Sequence, residues 1–86
     1  MDTENRPLVT IGVPVYNGEK FIIDALESIK NQTYTNFECH IINNASTDRT
    51  IELVQEFEKR DSRFSLYAYN EFVDIAENWN RTVKYI

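Results

Sequence analysis

Residues 42–48 carry the side chains of this chain that are best suited to hold a ligand. They read Ile-Asn-Asn-Ala-Ser-Thr-Asp and join a short apolar segment to an amphipathic one. The amides of Asn43 and Asn44 both donate and accept hydrogen bonds. Ser46 or Thr47 can cap the following helix and leave its first amide hydrogens facing outward. Ligands of open α/β sheets bind at such carboxyl strand ends, so the run predicts a binding loop.

Two other predicted strand ends carry similar side chains. Residues 14–17 follow the first apolar segment and include the aromatic Tyr16, and Asn70 follows the third. A base, a ribose or a diphosphate could be held there by backbone groups, by side-chain amides such as that of Asn17, and by an aromatic ring. The alternative is that these polar residues form turns and helix caps. Asp48 likewise is either a ligand or a charge that favours a helix amino terminus.

Three strands alternating with three helices are predicted to position these residues. Apolar and β-branched residues have the spacing of strands over residues 8–15, 37–42 and 64–69, and helical spacing follows each strand, over about 21–30, 51–60 and 75–86. Strands joined by crossover helices form a parallel sheet. The predicted fold is therefore α/β, a three-layer Rossmann-like half domain in the order β-α-β-α-β-α. The last helix carries apolar residues along one side, namely Ile75, Ala76, Trp79, Val83 and Ile86.

Composition excludes several classes of protein. Eighty-six residues with a formal charge of −5 make one small acidic domain, whereas nucleic-acid binders use Lys and Arg to neutralise phosphates. No stretch approaches the roughly 20 apolar residues of a membrane span, and the polar start, residues 1–6, has no apolar signal core. These features predict a cytoplasmic protein. The single cysteine, Cys39, lies in an apolar strand and is interpreted as a buried thiol.

The familiar nucleotide and metal signatures are missing. Gly12 and Gly18 do not form a GxGxxG motif, and no Gly-Lys-Ser or Gly-Lys-Thr follows a strand. The chain also has no CxxC, HExxH or EF-hand spacing. A dinucleotide fingerprint, a P-loop and a metal motif are therefore not predicted within these residues.

Three motifs together resemble a known family. They are residues 9–17 (VTIGVPVYN), residues 26–34 (LESIKNQTY) with Phe37 and Glu38 after them, and residues 44–50 (NASTDRT). In this order and spacing they resemble the amino-terminal, nucleotide-binding half of family 2 glycosyltransferases of the GT-A fold. The resemblance covers nearly the whole chain from Pro7 and divides it into a polar tail, 1–6, and a domain part, 7–86.

The resemblance implies transfer of a sugar from a nucleotide diphosphate sugar, most commonly a UDP-sugar, to an acceptor hydroxyl with inversion at the anomeric carbon. Asn70, followed by residues 78–81 (NWNR), is also similar to the family's segment that leads toward its metal-binding motif. The resemblance places Pro14, Tyr16 and Asn17 beside the nucleotide, Asn43 facing the base, and the following residues along its pocket. The full set of implied nucleotide-binding residues is Pro14, Tyr16, Asn17, Asn43, Asn44, Ala45, Ser46, Asp48, Asn80 and Arg81.

The chain departs from the family pattern in two respects. Asn43 stands where the family usually has Asp, and its amide oxygen can still accept a hydrogen bond from the base, so we expect weaker or altered base preference. The family's DxD motif, which holds a divalent metal, Mg²⁺ or Mn²⁺, lies beyond Ile86, as does the acidic general base. We therefore expect no catalytic residue and no cofactor within these 86 residues, and no transfer by them alone.

An alternative is a non-catalytic or self-associating α/β module. The first strand of a doubly wound sheet is central, so its outer edge is bare in this half, and exposed amides beside Val9, Ile11 and Val13 invite pairing. A homo-oligomer through this edge, or through the apolar side of the last helix, is predicted. The full-length protein is expected in the cytoplasm, with the cytoplasmic face of a membrane as an alternative position.

Overall fold

The fold consists of three strands alternating with three helices, as the sequence predicts. The computed structural model describes residues 7–86, so the tail predicted over 1–6 lies outside the described residues. The strands are β1 (Val9–Val15), β2 (Phe37–Asn44) and β3 (Phe64–Tyr69), and the helices are α1 (Ile22–Asn31), α2 (Thr50–Arg60) and α3 (Ile75–Val83).

The sheet is parallel, with β2 in the centre. The strand order is β1-β2-β3, and Val15 of β1 lies beside Asn43 of β2, which in turn lies beside Ala68 of β3. The three carboxyl ends therefore meet at one edge of the sheet. Within residues 7–86, β1 pairs only with β2, so its outer edge is unpaired.

Helices α1 and α2 cover one face of this sheet. Alternate residues of the strands point to this face because side chains alternate along a strand. Burial of these apolar side chains and of those on the facing helices drives the folding of this layer. The core residues are Val15, Ile22, Leu26, Phe37, Cys39, Ile41, Val54, Phe57 and Phe64.

Helix α3 packs on the opposite face, which makes the fold three-layered as predicted. It contacts β1 and β2, and it comes so close to Gly12 that a Cβ there would lie 2.6 Å from Cγ2 of Thr82. Asn78 and Thr82 face the sheet and are buried. The apolar side of α3 is therefore largely exposed, since Ile75, Trp79 and Val83 are 89%, 53% and 49% exposed.

Two predicted boundaries need correction. Strand β2 is two residues longer than the predicted 37–42, because Asn43 and Asn44 pair with Ala68 and Tyr69 of β3. Both asparagines thus belong to the strand and not to the loop. Helix α1 begins at Ile22, and the preceding Phe21 is 57% exposed although its spacing places it on the apolar face.

No helix of the described part of the chain is long and apolar enough to cross a membrane. The cytoplasmic location stays a prediction.

Candidate functional site

A cavity of about 180 Å³ opens at the carboxyl ends of β1 and β2, beside the first turns of α3. Pro14, Val15 and Tyr16 form one wall at the end of β1, and Asn44 stands at the end of β2. Ile75, Asn78 and Trp79 of α3 complete the lining. The cavity lies where open α/β sheets bind ligands. Its surface combines apolar and aromatic groups with two amides, which suits a flat, partly polar ring.

Asn17 connects the β1–α1 loop to the β2–α2 loop. Its backbone N–H donates to the hydroxyl of Ser46 at 2.9 Å, and its Oδ1 accepts from the backbone N–H of Thr47 at 2.8 Å. The Asn17 backbone has a φ of 49°, in the left-handed region that Asn tolerates better than most residues. Asn17 and Ser46, both predicted to contact a nucleotide, are thus joined to each other across the two loops.

Thr50 and Asp48 extend this connection under the loops. The buried hydroxyl of Thr50 accepts from the Gly18 backbone N–H at 2.8 Å and donates to Oδ1 of Asp48. The other carboxylate oxygen of Asp48 accepts from the Glu19 backbone N–H at 3.1 Å. Two loops that are 30 residues apart in sequence are therefore held as one rigid frame.

The amino terminus of α2 differs from the expectation that Ser46 or Thr47 caps it and leaves its first amides facing outward. The N–H of Thr50 donates to Asp48 Oδ1 at 3.0 Å, and the N–H of Arg49 donates to Glu19 Oε1 at 2.9 Å. The expectation is wrong because two nearby carboxylates satisfy these amides, whereas the hydroxyls of Ser46 and Thr47 are engaged by Asn17. These amides do not offer an anion site.

The same contacts shift the ionisation of Asp48. Desolvation raises its pKa, but the hydrogen bonds from the hydroxyl and amide of Thr50 and from the amide of Glu19 outweigh this effect, so the pKa of Asp48 lies below its usual value. Asp48 is therefore a charged cross-link between the loops at neutral pH.

Asn43 is placed differently from its neighbour. It is fully buried, neither its Nδ2 nor its Oδ1 has a hydrogen-bond partner among the described residues, and it does not line the cavity. Its side chain follows the alternation of β2 toward the α1–α2 face, whereas Asn44 points to the α3 face. Ala45 after them has a φ of 53°, which turns the chain sharply out of the strand.

Asn44 and Arg81 meet beside the cavity. The guanidinium of Arg81 donates to Asn44 Oδ1 at 3.2 Å and lies 4.1 Å from the centroid of the Tyr69 ring. Asn80 is exposed and donates to Glu77 Oε1 at 3.4 Å, away from this group. The structure thus brings Pro14, Tyr16 and Asn44 to the cavity and Arg81 to its side, and it leaves Asn80 apart.

The residues that α3 contributes to the cavity, Ile75, Asn78 and Trp79, are absent from the sequence-based set. The Oδ1 of Asn78 is buried without a partner in the described part of the chain. In the sequence, Gly12 is the residue that could have predicted the close packing of α3, because a strand position without a side chain lets a helix approach closely. A helical pattern alone does not tell which of its sides faces the sheet.

The residues of 7–86 do not fit the divalent metal that the resemblance implies for the full-length family. Among them, no group of three or more His, Cys, Asp or Glu side chains is arranged to hold a metal ion.

Residues 10–86 match the protein family described as Glycosyl transferase family 2. An uncharacterized glycosyltransferase of Haemophilus influenzae is 44% identical over 63 residues, which are 73% of this chain and 20% of that protein. The putative teichuronic acid biosynthesis glycosyltransferase TuaG of Bacillus subtilis is 33% identical over 82 residues, 95% of this chain and 32% of that protein. Chondroitin synthase of Escherichia coli is 46% identical over 50 residues, 58% of this chain and 7% of that protein. The chain thus spans a third or less of the length of these relatives.

Proposed function

The chain belongs to glycosyltransferase family 2, and on this premise we propose that it forms the nucleotide-binding part of an enzyme that transfers a sugar to an acceptor hydroxyl. The donor is a nucleoside diphosphate sugar, with UDP as the nucleotide and inversion at the anomeric carbon. The fold would then be the amino-terminal part of a GT-A domain.

The cavity beside Tyr16 is the observation that carries this proposal. Residues from two separate sequence motifs, Pro14 with Tyr16 and Asn44, line it together with Trp79. Two aromatic side chains offer apolar ring faces to a base, because stacking on an aromatic face suits any base. Asn78 adds an amide group to this lining, and its Oδ1 is buried without a partner within residues 7–86.

The loop residues Asn17, Ser46 and Asp48 act in this proposal as a frame. Their hydrogen bonds to one another fix the end of β1 against the end of β2 and thereby hold Tyr16 in place. Pre-organisation of this kind lowers the conformational cost of binding. The diphosphate would not lie on the amides of Arg49 and Thr50, since carboxylates occupy them.

Nucleotide binding by the isolated chain tests the proposal. Calorimetric titration with UDP and GDP is expected to give micromolar dissociation constants, with UDP the tighter. Tyr16→Ala should weaken UDP binding, whereas Phe21→Ala, which truncates an exposed aromatic side chain outside the cavity lining, should not. The absence of measurable heat with both nucleotides, for a chain with cooperative thermal unfolding, would refute the proposal.

We propose further that these 86 residues bind the donor without transferring its sugar. They span a third or less of the relatives, and the resemblance places the metal motif and the general base outside them. Product analysis with UDP-sugars is expected to detect no transfer to any acceptor and no release of UDP above the uncatalysed rate. Measurable transfer by the chain alone would contradict this.

The contact between Asn43 and the base, which the resemblance implies, can be tested separately. We propose that Asn44, which lines the cavity, and not the fully buried Asn43, is the nearer of the two to the base. UDP affinity is therefore expected to be equal in the wild type and in Asn43→Asp, once thermal unfolding confirms that the variant is folded. A clear change in affinity in the folded variant would restore Asn43 as a base contact.

Self-association is the second candidate function. Within residues 7–86 the outer edge of β1 is unpaired and the apolar side of α3 is exposed, and both features favour pairing with another copy. Sedimentation at high concentration is expected to detect a dimer or larger species, and Val83→Glu on α3 to weaken it. A monomer at all concentrations would rule this function out.

A further inference from the structure

Residues 71–74, in the connection between β3 and α3, are held against the end of β2 by side chains. The amide of Asn44 donates to the carbonyl of Val73 at 2.7 Å and accepts from the N–H of the same residue at 3.0 Å. Only a side chain that both donates and accepts can form this two-way pairing. Asn44 thus binds the connection as a neighbouring strand would.

Arg81 holds the same connection from the helix side. One nitrogen of its guanidinium donates to Asn44 Oδ1, and the other donates to the carbonyl of Glu71 at 2.9 Å. Its planar group also lies over the Tyr69 ring, a contact that restricts its orientation. We call Asn44 and Arg81, with these bonds to residues 71 and 73, the clamp.

The residue between the two clamped positions is Phe72, which packs on the cavity wall. Its ring lies 4.8 Å from that of Tyr16, centroid to centroid, with the planes at 64°, an edge-to-face pair. Both rings are about half exposed, so the rest of the protein buries neither of them. The pair is the contact that connects the clamp to Tyr16, which lines the cavity.

We propose that Phe72 is a positioning residue for the nucleotide: it fixes the ring of Tyr16, and the clamp of Asn44 and Arg81 fixes Phe72. The proposal rests on the proposed function, because it takes the cavity beside Tyr16 as the site of the base. It gives Arg81, in place of direct contact with the nucleotide, a role in holding residues 71–74, and it adds that role to Asn44, which also lines the cavity.

A double-mutant cycle between Phe72 and Tyr16 tests the proposal. UDP affinity is measured by calorimetry for the wild type, Phe72→Ala, Tyr16→Ala and the double variant. Phe72→Ala is expected to weaken binding roughly two- to tenfold, the worth of an aromatic pair. In the Tyr16→Ala background the same change should have no effect, because Phe72 acts through Tyr16.

Three further variants and a control separate positioning of Tyr16 from a general effect on the fold. Phe72→Tyr keeps the edge-to-face pair and should retain wild-type affinity, whereas Phe72→Leu keeps an apolar side chain and should not. Arg81→Lys cannot bridge both partners and should weaken binding to a similar extent as Phe72→Ala, with no further loss when the two are combined. Phe21→Ala, equally exposed in the wild type, is the matched control and should bind UDP as the wild type does.

The outcomes distinguish this inference from the proposed function. If the wild type binds neither UDP nor GDP, the proposed function fails and the inference fails with it. If the wild type binds UDP but Phe72→Ala binds equally well, or loses affinity by the same factor with and without Tyr16, only the positioning role is overturned. Thermal unfolding of each variant is followed in parallel, to confirm that it is folded. If Phe72→Leu binds UDP as tightly as the wild type, an apolar side chain is sufficient at this position and the positioning role of the aromatic ring is overturned.

Discussion

At the scale of single residues, the polar side chains at the strand ends bind mainly to one another. Asn17, Ser46 and Asp48 have the types and spacing of ligand-binding residues, and the structure uses their hydrogen bonds to join two loops. The sequence predicts that polar groups gather there. It cannot predict how those groups pair, because pairing depends on the distance between loops that are 30 residues apart.

Ala45 occupies a backbone conformation that suits glycine. Its φ of 53° lies in the left-handed region, which costs a residue with a Cβ about 1–2 kcal/mol. Ala45→Gly relieves this strain but adds unfolded-state entropy, so we expect a gain in unfolding free energy of up to about 1 kcal/mol. Ala45→Val should lose about 1 kcal/mol or more. Urea unfolding of the two variants measures both, and a less stable glycine variant would contradict the assignment of strain.

Cys39 is expected to be unreactive in the folded protein. Burial raises the pKa of its thiol to about 12, so at pH 8 almost no thiolate is present to react. A thiol reagent should label native protein only at the rate of unfolding, and label it at once in denaturant. Fast labelling of the native chain would show that the α1–α2 core is open. The sequence predicts this burial correctly from the apolar neighbours of Cys39.

At the scale of elements, the strands and their order follow from the sequence, but the orientation of α3 does not. Alternating β-branched residues identify β1, and helical spacing identifies the crossovers. The apolar stripe of α3 is visible in the sequence, yet it stays largely exposed, because Gly12 admits Thr82 and the clamp holds Arg81. These long-range contacts determine which side of α3 faces the sheet. The apolar spacing within the helix cannot predict them.

Thr50 joins two elements and is expected to matter for stability. Its hydroxyl connects the β1–α1 loop, through Gly18, to Asp48 before α2. Thr50→Val keeps the shape but leaves a buried N–H without a partner, which should cost about 1–3 kcal/mol of unfolding free energy. Thr50→Ser retains the hydroxyl and should lose less. Urea unfolding measures the unfolding free energy of both variants. A valine variant as stable as the wild type would show that the Thr50 hydroxyl adds little to stability.

The loop frame should also weaken in acid. The pKa of Asp48 is lowered in the folded state, as is that of Asp61, whose hydrogen bond from Arg63 is the largest cause. Carboxylates of this kind stabilise the fold above their unfolded pKa of about 4, and this contribution is lost as pH falls through the lower folded value. Unfolding free energy is therefore expected to fall from pH 5 downward. The unfolding free energy of Asp48→Asn should decrease less over this range. A pH profile equal to that of the wild type would show that Asp48 does not contribute to the loss of stability in acid.

At the scale of the whole molecule, the cavity, the loops and the clamp lie at one edge of the sheet. The described residues supply an aromatic cavity, a rigid loop frame and a clamp, and they span a third or less of the relatives they match. The sequence motifs predict the family and three of the seven cavity-lining residues, Pro14, Tyr16 and Asn44. Of the other four, Val15 belongs to β1, and Ile75, Asn78 and Trp79 depend on how α3 packs over β1.

The fluorescence of Trp79 during titration with UDP shows whether the nucleotide binds in the cavity beside Tyr16. Trp79 is the only tryptophan of the chain and lines the cavity, so a base bound beside Tyr16 must change its surroundings. We predict a saturable change in its emission, with the dissociation constant found by calorimetry, and a weaker affinity in Tyr16→Ala. Binding heat without any change in Trp79 emission would place the nucleotide elsewhere and contradict the account.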